Sequence, residues 1–343
     1  MTSERRLLDR LATVERMIRP TPLVRLADDR LDLFAKLEFL NGVSSLKDGP
    51  ALWVLKRAIG RGEINPGTTI IESSSGNFAR ALAIFTTVLD LDFVPVIDPN
   101  TSPHLEAFLR AQCDRVVEVQ EPDDAGGYLK SRLQMVATLL AETADSYWPN
   151  QYGNTDAMDA HYHLTARGIV DAVSSLDYVF VAVSTAGTIA GVSRRLKEEN
   201  PRVKIIAVDT EGSVIFGHPP KKRLIPGLGS SIRPPLLQHA LIDDVVIVPE
   251  TDTIRACHEL LERHGLFVGG SSGSCYSAIQ RYFASATLGA RPRVLFLCCD
   301  GGAAYLHNVF GRRGSACRDT GTTVAGQPAQ GASKERLVPA TEP

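Results

Sequence analysis

Short apolar runs, many of them β-branched, alternate along this chain with stretches whose apolar residues recur every three or four positions. The runs at 33–37, 68–72, 93–97, 115–119, 178–183, 204–209, 245–249 and 293–298 predict strands covered on both faces. The amphipathic stretches at 51–61, 78–87, 102–112, 127–143, 157–173, 188–199, 251–264 and 274–285 predict helices. Such an order defines an α/β fold with mostly parallel sheets, whose ligands gather at loops beyond strand C-termini. Trp148-Pro149-Asn150-Gln151-Tyr152-Gly153-Asn154 interrupts the alternation and marks a candidate domain junction. No internal repeat is visible. From about Arg313 the chain is rich in Gly, Ala, Ser, Thr and Pro and has no aromatic residue, so disorder is expected over 313–343.

The length of 343 residues suits one large domain or two modest ones. Hydrophobic residues at 44% and charged residues at 22% fit a soluble enzyme. A net charge of -2 excludes nucleic acid or an anionic membrane as a partner held by bulk charge. No apolar stretch has the length of a bilayer span, and Met1-Thr2-Ser3-Glu4-Arg5-Arg6 lacks a signal core, so a cytoplasmic location is expected. The six cysteines form no C-x-x-C pair and are expected to be reduced and mostly buried.

The chemistry lies in four polar segments. Ser45-Leu46-Lys47-Asp48 follows the turn Asn41-Gly42-Val43-Ser44 and opens a helical run. Ser74-Ser75-Gly76-Asn77 and Ser184-Thr185-Ala186-Gly187-Thr188 each join a strand to a helix, and Gly269-Gly270-Ser271-Ser272-Gly273-Ser274 precedes another helix. Lysine forms a Schiff base with an aldehyde cofactor, and a loop at a helix N-terminus cradles anions. Each segment alone also fits a bland reading: a solvated lysine, an ordinary turn, a Gly/Ser linker. Together, in this order, they point to a pyridoxal phosphate enzyme acting on a carboxylate-bearing substrate.

From Thr21-Pro22-Leu23 to about Tyr305-Leu306, the chain resembles the fold-type II pyridoxal phosphate family of cysteine synthases and cystathionine β-synthases. The resemblance implies two three-layer αβα domains with twisted, mostly parallel sheets, as in tryptophan synthase β. The larger, cofactor-binding domain would comprise 1–41 and 152–312, and a smaller, mobile, substrate-closing domain 42–151. Lys47 would hold the cofactor and act as the catalytic base. Asn77 would bond the cofactor's phenolic oxygen. Ser184, Thr185, Ala186, Gly187 and Thr188 would bind its phosphate, and Ser271 would meet its ring nitrogen. Ser74, Ser75, Asn77 and Gln151 would cradle the substrate carboxylate. A homodimer is implied as well.

Several positions depart from the family pattern. Gly42-Val43-Ser44 stands for Pro-x-Gly, Gly49 for Arg, and Phe78-Ala79-Arg80 for a segment with Thr-Gly. Ser184 and Ala186 stand for glycines, and Tyr152 for Phe. Hydroxyls at Tyr152 and Ser184, with positive charge from Arg132 or Lys130, suit a phosphate leaving group. These features and the 211–217 and 225–231 segments, with Gly227 at the site, resemble one branch of the family. That branch joins O-phospho-L-serine to the amine of L-glutamate, on the way to 2,3-diaminopropionate for siderophores or peptide antibiotics, and a dehydrogenase consumes the product. A sulfide-using cysteine synthase and a non-catalytic binding relative remain the alternatives. His161-Tyr162-His163 reads as exposed or capping histidines rather than metal ligands, Lys221-Lys222-Arg223 as a solvated loop, and Asp300 and Tyr305 as minor neighbours of the cofactor.

Overall fold

The computed structural model of the chain describes residues 2–123 and 127–311, so the tail expected at 313–343 lies outside the described residues. The chain runs α1 (Ser3–Glu15), β1 (Leu23–Leu26), β2 (Asp32–Leu37), α2 (Asp48–Gly60), β3 (Thr69–Ser73), α3 (Asn77–Leu89), β4 (Phe93–Ile97) and α4 (Pro103–Gln112). It continues β5 (Val117–Glu118), α5 (Leu129–Glu142), β6 (Ser146–Tyr147), α6 (Thr155–Ala160), α7 (Arg167–Ala172), β7 (Tyr178–Ala182) and α8 (Gly187–Glu199). Then follow β8 (Lys204–Thr210), β9 (Asp244–Val248), α9 (Glu250–His264), α10 (Gly270–Phe283) and β10 (Arg293–Cys298).

Two sheets result. One has the order β5-β4-β3-β6 and is parallel throughout. The other has the order β1-β2-β10-β7-β8-β9, parallel except for the antiparallel edge pair β1–β2. Each sheet is the middle of three layers. Ile70 and Phe93 of the smaller sheet pack with α1 to α4 on one face, while Ile71, Val94 and Val96 pack with Val136 and Leu139 of α5 on the other. In the larger sheet Phe180, Val208 and Phe296 meet α9 and α10, whereas Val179, Val181 and Leu295 meet α7 and α8. Burial on both faces explains why these strands read as continuous apolar runs rather than as alternating ones.

Some details differ from expectation. The N-terminal helix α1 was not foreseen. Its start is capped by the Thr2 hydroxyl, which accepts from Arg5 N at 3.3 Å. Leu7, Leu11 and Val14 bury against α2 and α3, so α1 packs with the smaller sheet, whereas the resemblance places residues 1–41 with the larger domain. The strand expected over 115–119 pairs only at Val117–Glu118. The helix expected over 157–173 is broken by a π turn at His161–Ala166. Helix α10 starts at Gly270, four residues before the expected 274, so Ser271 lies in its first turn.

Candidate active site

Three strand ends and the start of α2 converge. Lys47 is the N-cap of α2, and Ser45 makes a bridge to Asp300, just past the end of β10. Leu46 N donates to Cys299 O at 2.8 Å, tying the lysine segment to the larger sheet. The turn before it is held from within: Asp48 accepts from Val43 N at 2.7 Å, Ser45 N at 3.2 Å and Ser45 Oγ at 3.0 Å. Burial still raises Asp48 to about 6, against the lowering effect of those bonds. A side chain at Gly42 would run into the Met17 carbonyl, and Ser44 takes φ 97°, a left-handed value that favours glycine.

Lys47 is part-buried as a residue and faces a small cavity lined also by Phe78, Gln151, His161, Thr185 and Gly187. Burial pushes its pKa down, and the neighbouring Cys299 and Asp300 oppose the shift only in part. Two helix N-termini meet at this cavity. At α8, no acceptor among the described residues takes the N–H groups of Thr185, Ala186, Gly187 and Thr188. Ala186 adopts φ 64°, so the turn is made without the expected glycine. At α3, the N–H groups of Ser75, Gly76, Asn77 and Phe78 are likewise without acceptors among the described residues. Both ends therefore present unsatisfied donors and a positive helix dipole.

The side chains of the 74–77 loop are anchored to other elements. Ser74 Oγ accepts from Ala79 N at 3.2 Å, and Ser75 Oγ accepts from Arg132 Nη1 at 3.0 Å. Arg132, buried on α5, also pairs with Asp98 at 3.2 Å. Asn77 Nδ2 donates to Asp300 Oδ2 at 2.7 Å, and Tyr305 OH donates to the same oxygen at 2.8 Å. Asp300 Oδ1 is buried and has no partner among the described residues. Burial raises the Asp300 carboxyl, while Tyr305 and Asn77 pull it back. Beneath the loop, Gln151 Nε2 donates to Ser73 O at 3.1 Å, and Gln151 N donates to Glu72 Oε2 at 3.3 Å. Glu72 is fully buried and is pushed up to about 8.

Of the remaining residues singled out from sequence, Ser271 is buried with its hydroxyl at the Cys299 thiol. Ser184 Oγ donates to Gly229 O at 3.0 Å, so this hydroxyl spends its proton inside the protein, contrary to its expected role as a donor at the mouth. The Tyr152 hydroxyl has no hydrogen-bond partner among the described residues, and burial raises its pKa while Arg132 and Arg223 pull it back in part. Gly227 (φ 90°) would place a Cβ 3.2 Å from Tyr305 OH. His161 corrects the sequence reading: it is buried and lines the cavity, whereas His163 is exposed and stacks on Trp53. Among the described residues, no group of three or more His, Cys, Asp or Glu is placed to hold a metal ion. No described helix is long and apolar enough to cross a membrane.

An amine of lowered pKa and two rows of unused N–H donors around one cavity fit an aldehyde cofactor that carries a phosphate, beside a carboxylate-bearing substrate. Residues 14–300 match the family described as pyridoxal-phosphate dependent enzyme, and the chain belongs to that family. It is a pyridoxal-phosphate-dependent enzyme of the β-replacement type with the fold-type II architecture of cysteine synthases. The chain is 44% identical over 296 residues to N-(2-amino-2-carboxyethyl)-L-glutamate synthase of Ralstonia nicotianae, covering 84% of this chain and 87% of that protein. Its fold is similar to the crystal structure of an O-acetylserine dependent cystathionine β-synthase from Helicobacter pylori, with TM-score 0.78 and 28% identity, covering 85% of this chain and 96% of that one. A hydrogen sulfide-producing enzyme from Fusobacterium nucleatum superposes with TM-score 0.79 at 26% identity, over 85% of this chain and 99% of that one.

Proposed function

We propose that this chain joins O-phospho-L-serine to the amine of L-glutamate, releasing phosphate and giving N-(2-amino-2-carboxyethyl)-L-glutamate. The observation that carries the reading is the meeting of Lys47 and two donor-rich helix ends at one cavity, with buried Arg132 reaching in at Ser75. The 44% identity to a relative of that name supports the choice of product.

Pyridoxal phosphate bound at Lys47 supplies the electron sink that makes the Cα proton of an amino acid acidic and loosens its Cβ substituent. Lys47, whose burial disfavours the ammonium form, takes the Cα proton and later returns it. The N–H groups of the 184–188 loop hold the cofactor phosphate. Asn77 holds the ring oxygen, its amide oriented by Asp300. Ser271 would meet the ring nitrogen with a neutral hydroxyl instead of a carboxylate, a weaker electron sink that suits loss of a Cβ group. The loop at Ser74, Ser75 and Asn77, supported by Gln151, holds the substrate carboxylate.

Arg132 and the unpartnered Tyr152 hydroxyl face the phosphate ester, with Ser184 and Gly227 bordering the same space. Phosphate departs with the Cβ–O electron pair, and the glutamate amine forms the new Cβ–N bond as it loses one N–H proton, which leaves with the phosphate. Closure of the smaller unit, 42–151, on the carboxylate excludes water from the reaction. A cytoplasmic homodimer completes the proposal, with a dehydrogenase consuming the product toward 2,3-diaminopropionate for a siderophore or peptide antibiotic.

The test is a mass-spectrometric product assay of the purified protein with O-phosphoserine and either glutamate or sulfide. The expected result is the glutamate adduct and stoichiometric phosphate. Condensation with sulfide alone would replace this reading with that of a cysteine synthase.

A further inference from the structure

The π turn at His161–Ala166 continues directly from α6. Such turns inside α-helices concentrate at functional sites. Here the turn carries a buried histidine between two threonines. His161 Nδ1 lies 3.1 Å from Thr165 Oγ1, and Nε2 lies 3.1 Å from Thr188 Oγ1. Thr188 is the second residue of α8, within the row of N–H groups that have no acceptor among the described residues. Gly191 allows this approach. A Cβ there would run into the Met158 carbonyl and would lie 2.7 Å from Tyr162 N and 2.8 Å from His161 Cβ.

We propose that His161 is a positioning residue for the cofactor phosphate: a neutral imidazole protonated on Nε2 that donates to Thr188 Oγ1 and so aims the Thr188 O–H at the anion. Each threonine hydroxyl has His161 as its one hydrogen-bond partner among the described residues, and only Thr188 borders the proposed anion, so proton counting with the phosphate in place sets the direction of the bonds. A buried hydroxyl proton needs an acceptor, so Thr165 donates and Nδ1 accepts. The ring proton then sits on Nε2 and points at Thr188, whose own proton is left for a ligand. Phosphate oxygens only accept, so they need that donor. The opposite tautomer turns the Thr188 proton back into the protein and presents lone pairs to the phosphate. Burial, helped by the charge of Lys47, holds His161 well below its ordinary pKa, which keeps the ring neutral.

The inference rests on the reading of 184–188 as the phosphate cradle, and its test separates the two. Full-length apoprotein is titrated with pyridoxal phosphate, and the dissociation constant is read by fluorescence quenching. Gln places an amide N–H where Nε2 stands, and Asn places one where Nδ1 stands. His161→Asn is expected to raise the dissociation constant by at least about tenfold, the size of losing one hydrogen bond to a charged group, whereas His161→Gln stays within about threefold. Thr188→Ala should match His161→Asn, and the double variant should be no worse than Thr188→Ala alone. In the parent holoenzyme, the 15N spectrum of labelled histidine should show Nε2 protonated and Nδ1 bare. That spectrum decides the tautomer even if a variant does not fold. A bare Nε2, or an Asn variant that binds as well as the Gln variant, overturns the inference. Unchanged affinity in Thr188→Ala overturns the cradle reading instead.

Discussion

The N-termini of α3 and α8 look alike in outline, since each follows a parallel strand, opens on small polar residues and offers a row of unused N–H groups. They differ in how they are held. The 74–77 loop is roped by side chains that arrive from other elements, with Arg132 from α5 on Ser75 and Asp300 from the end of β10 on Asn77. The 184–188 loop is backed by the packed interior of the larger unit, through His161 on Thr188 and Gly229 on Ser184. A loop fixed by its own core suits a ligand that stays through every turnover. A loop held by side chains that arrive from separate elements suits one that enters and leaves.

Lys47 sits between the two, and its loss should disable both at once. Lys47→Ala is expected to lower kcat by at least about 10³-fold while the melting temperature and far-UV circular dichroism stay near the parent values. A variant retaining a tenth of the activity would break the comparison at its centre. Next in size, Arg132→Lys keeps the charge that faces Asp98 but loses the planar fork. It should raise KM for O-phosphoserine about tenfold and leave the cofactor dissociation constant unchanged. Equal losses on cofactor and substrate would mean that the two loops are not separate sites.

Glu72 supports the 74–77 loop from below, and its carboxyl is raised from the ordinary 4.5 to about 8 by burial. An acid raised on folding adds stability below its unfolded value and loses it as pH rises through the folded value. Glu72→Gln should therefore raise Tm at pH 8 by about 3 °C or more and change it less at pH 5, measured by thermal melts at both pH values. A larger gain at pH 5 would contradict the shift. Smallest is Ala186→Gly. Ala186 holds φ 64° in the 184–188 loop, so glycine should relieve up to about 1 kcal/mol of strain and raise Tm slightly without moving KM. A fall in Tm would show that the methyl group packs usefully there.

The sequence made much of this legible because buried parallel strands are apolar on both faces, and β10 was delimited at 293–298 without error. The short edge strand Ser146–Tyr147 carries too few residues to show a pattern, and the run at 115–119 is longer than the pairing at Val117–Glu118. Gly270-Ser271-Ser272-Gly273 reads as a linker by propensity, yet the surrounding core makes it helical, a tertiary override of local preference. The lysine segment and the two loops were visible as motifs through their combination and order, since each alone fits an ordinary turn. His161 was read as exposed or capping because no third metal ligand stands in pattern with His161 and His163. What brings it inward is a π turn, and that has no signature in residue types. Asp300 was ranked as minor because the hydrogen bond that makes it matter spans 223 residues of sequence.

The account depends on a covalent link between pyridoxal phosphate and the amine of Lys47. Borohydride reduction of the holoenzyme followed by peptide mapping tests this directly. The account predicts one pyridoxyl label, on the peptide that contains Lys47. A label on another lysine, or none after reconstitution, would contradict it.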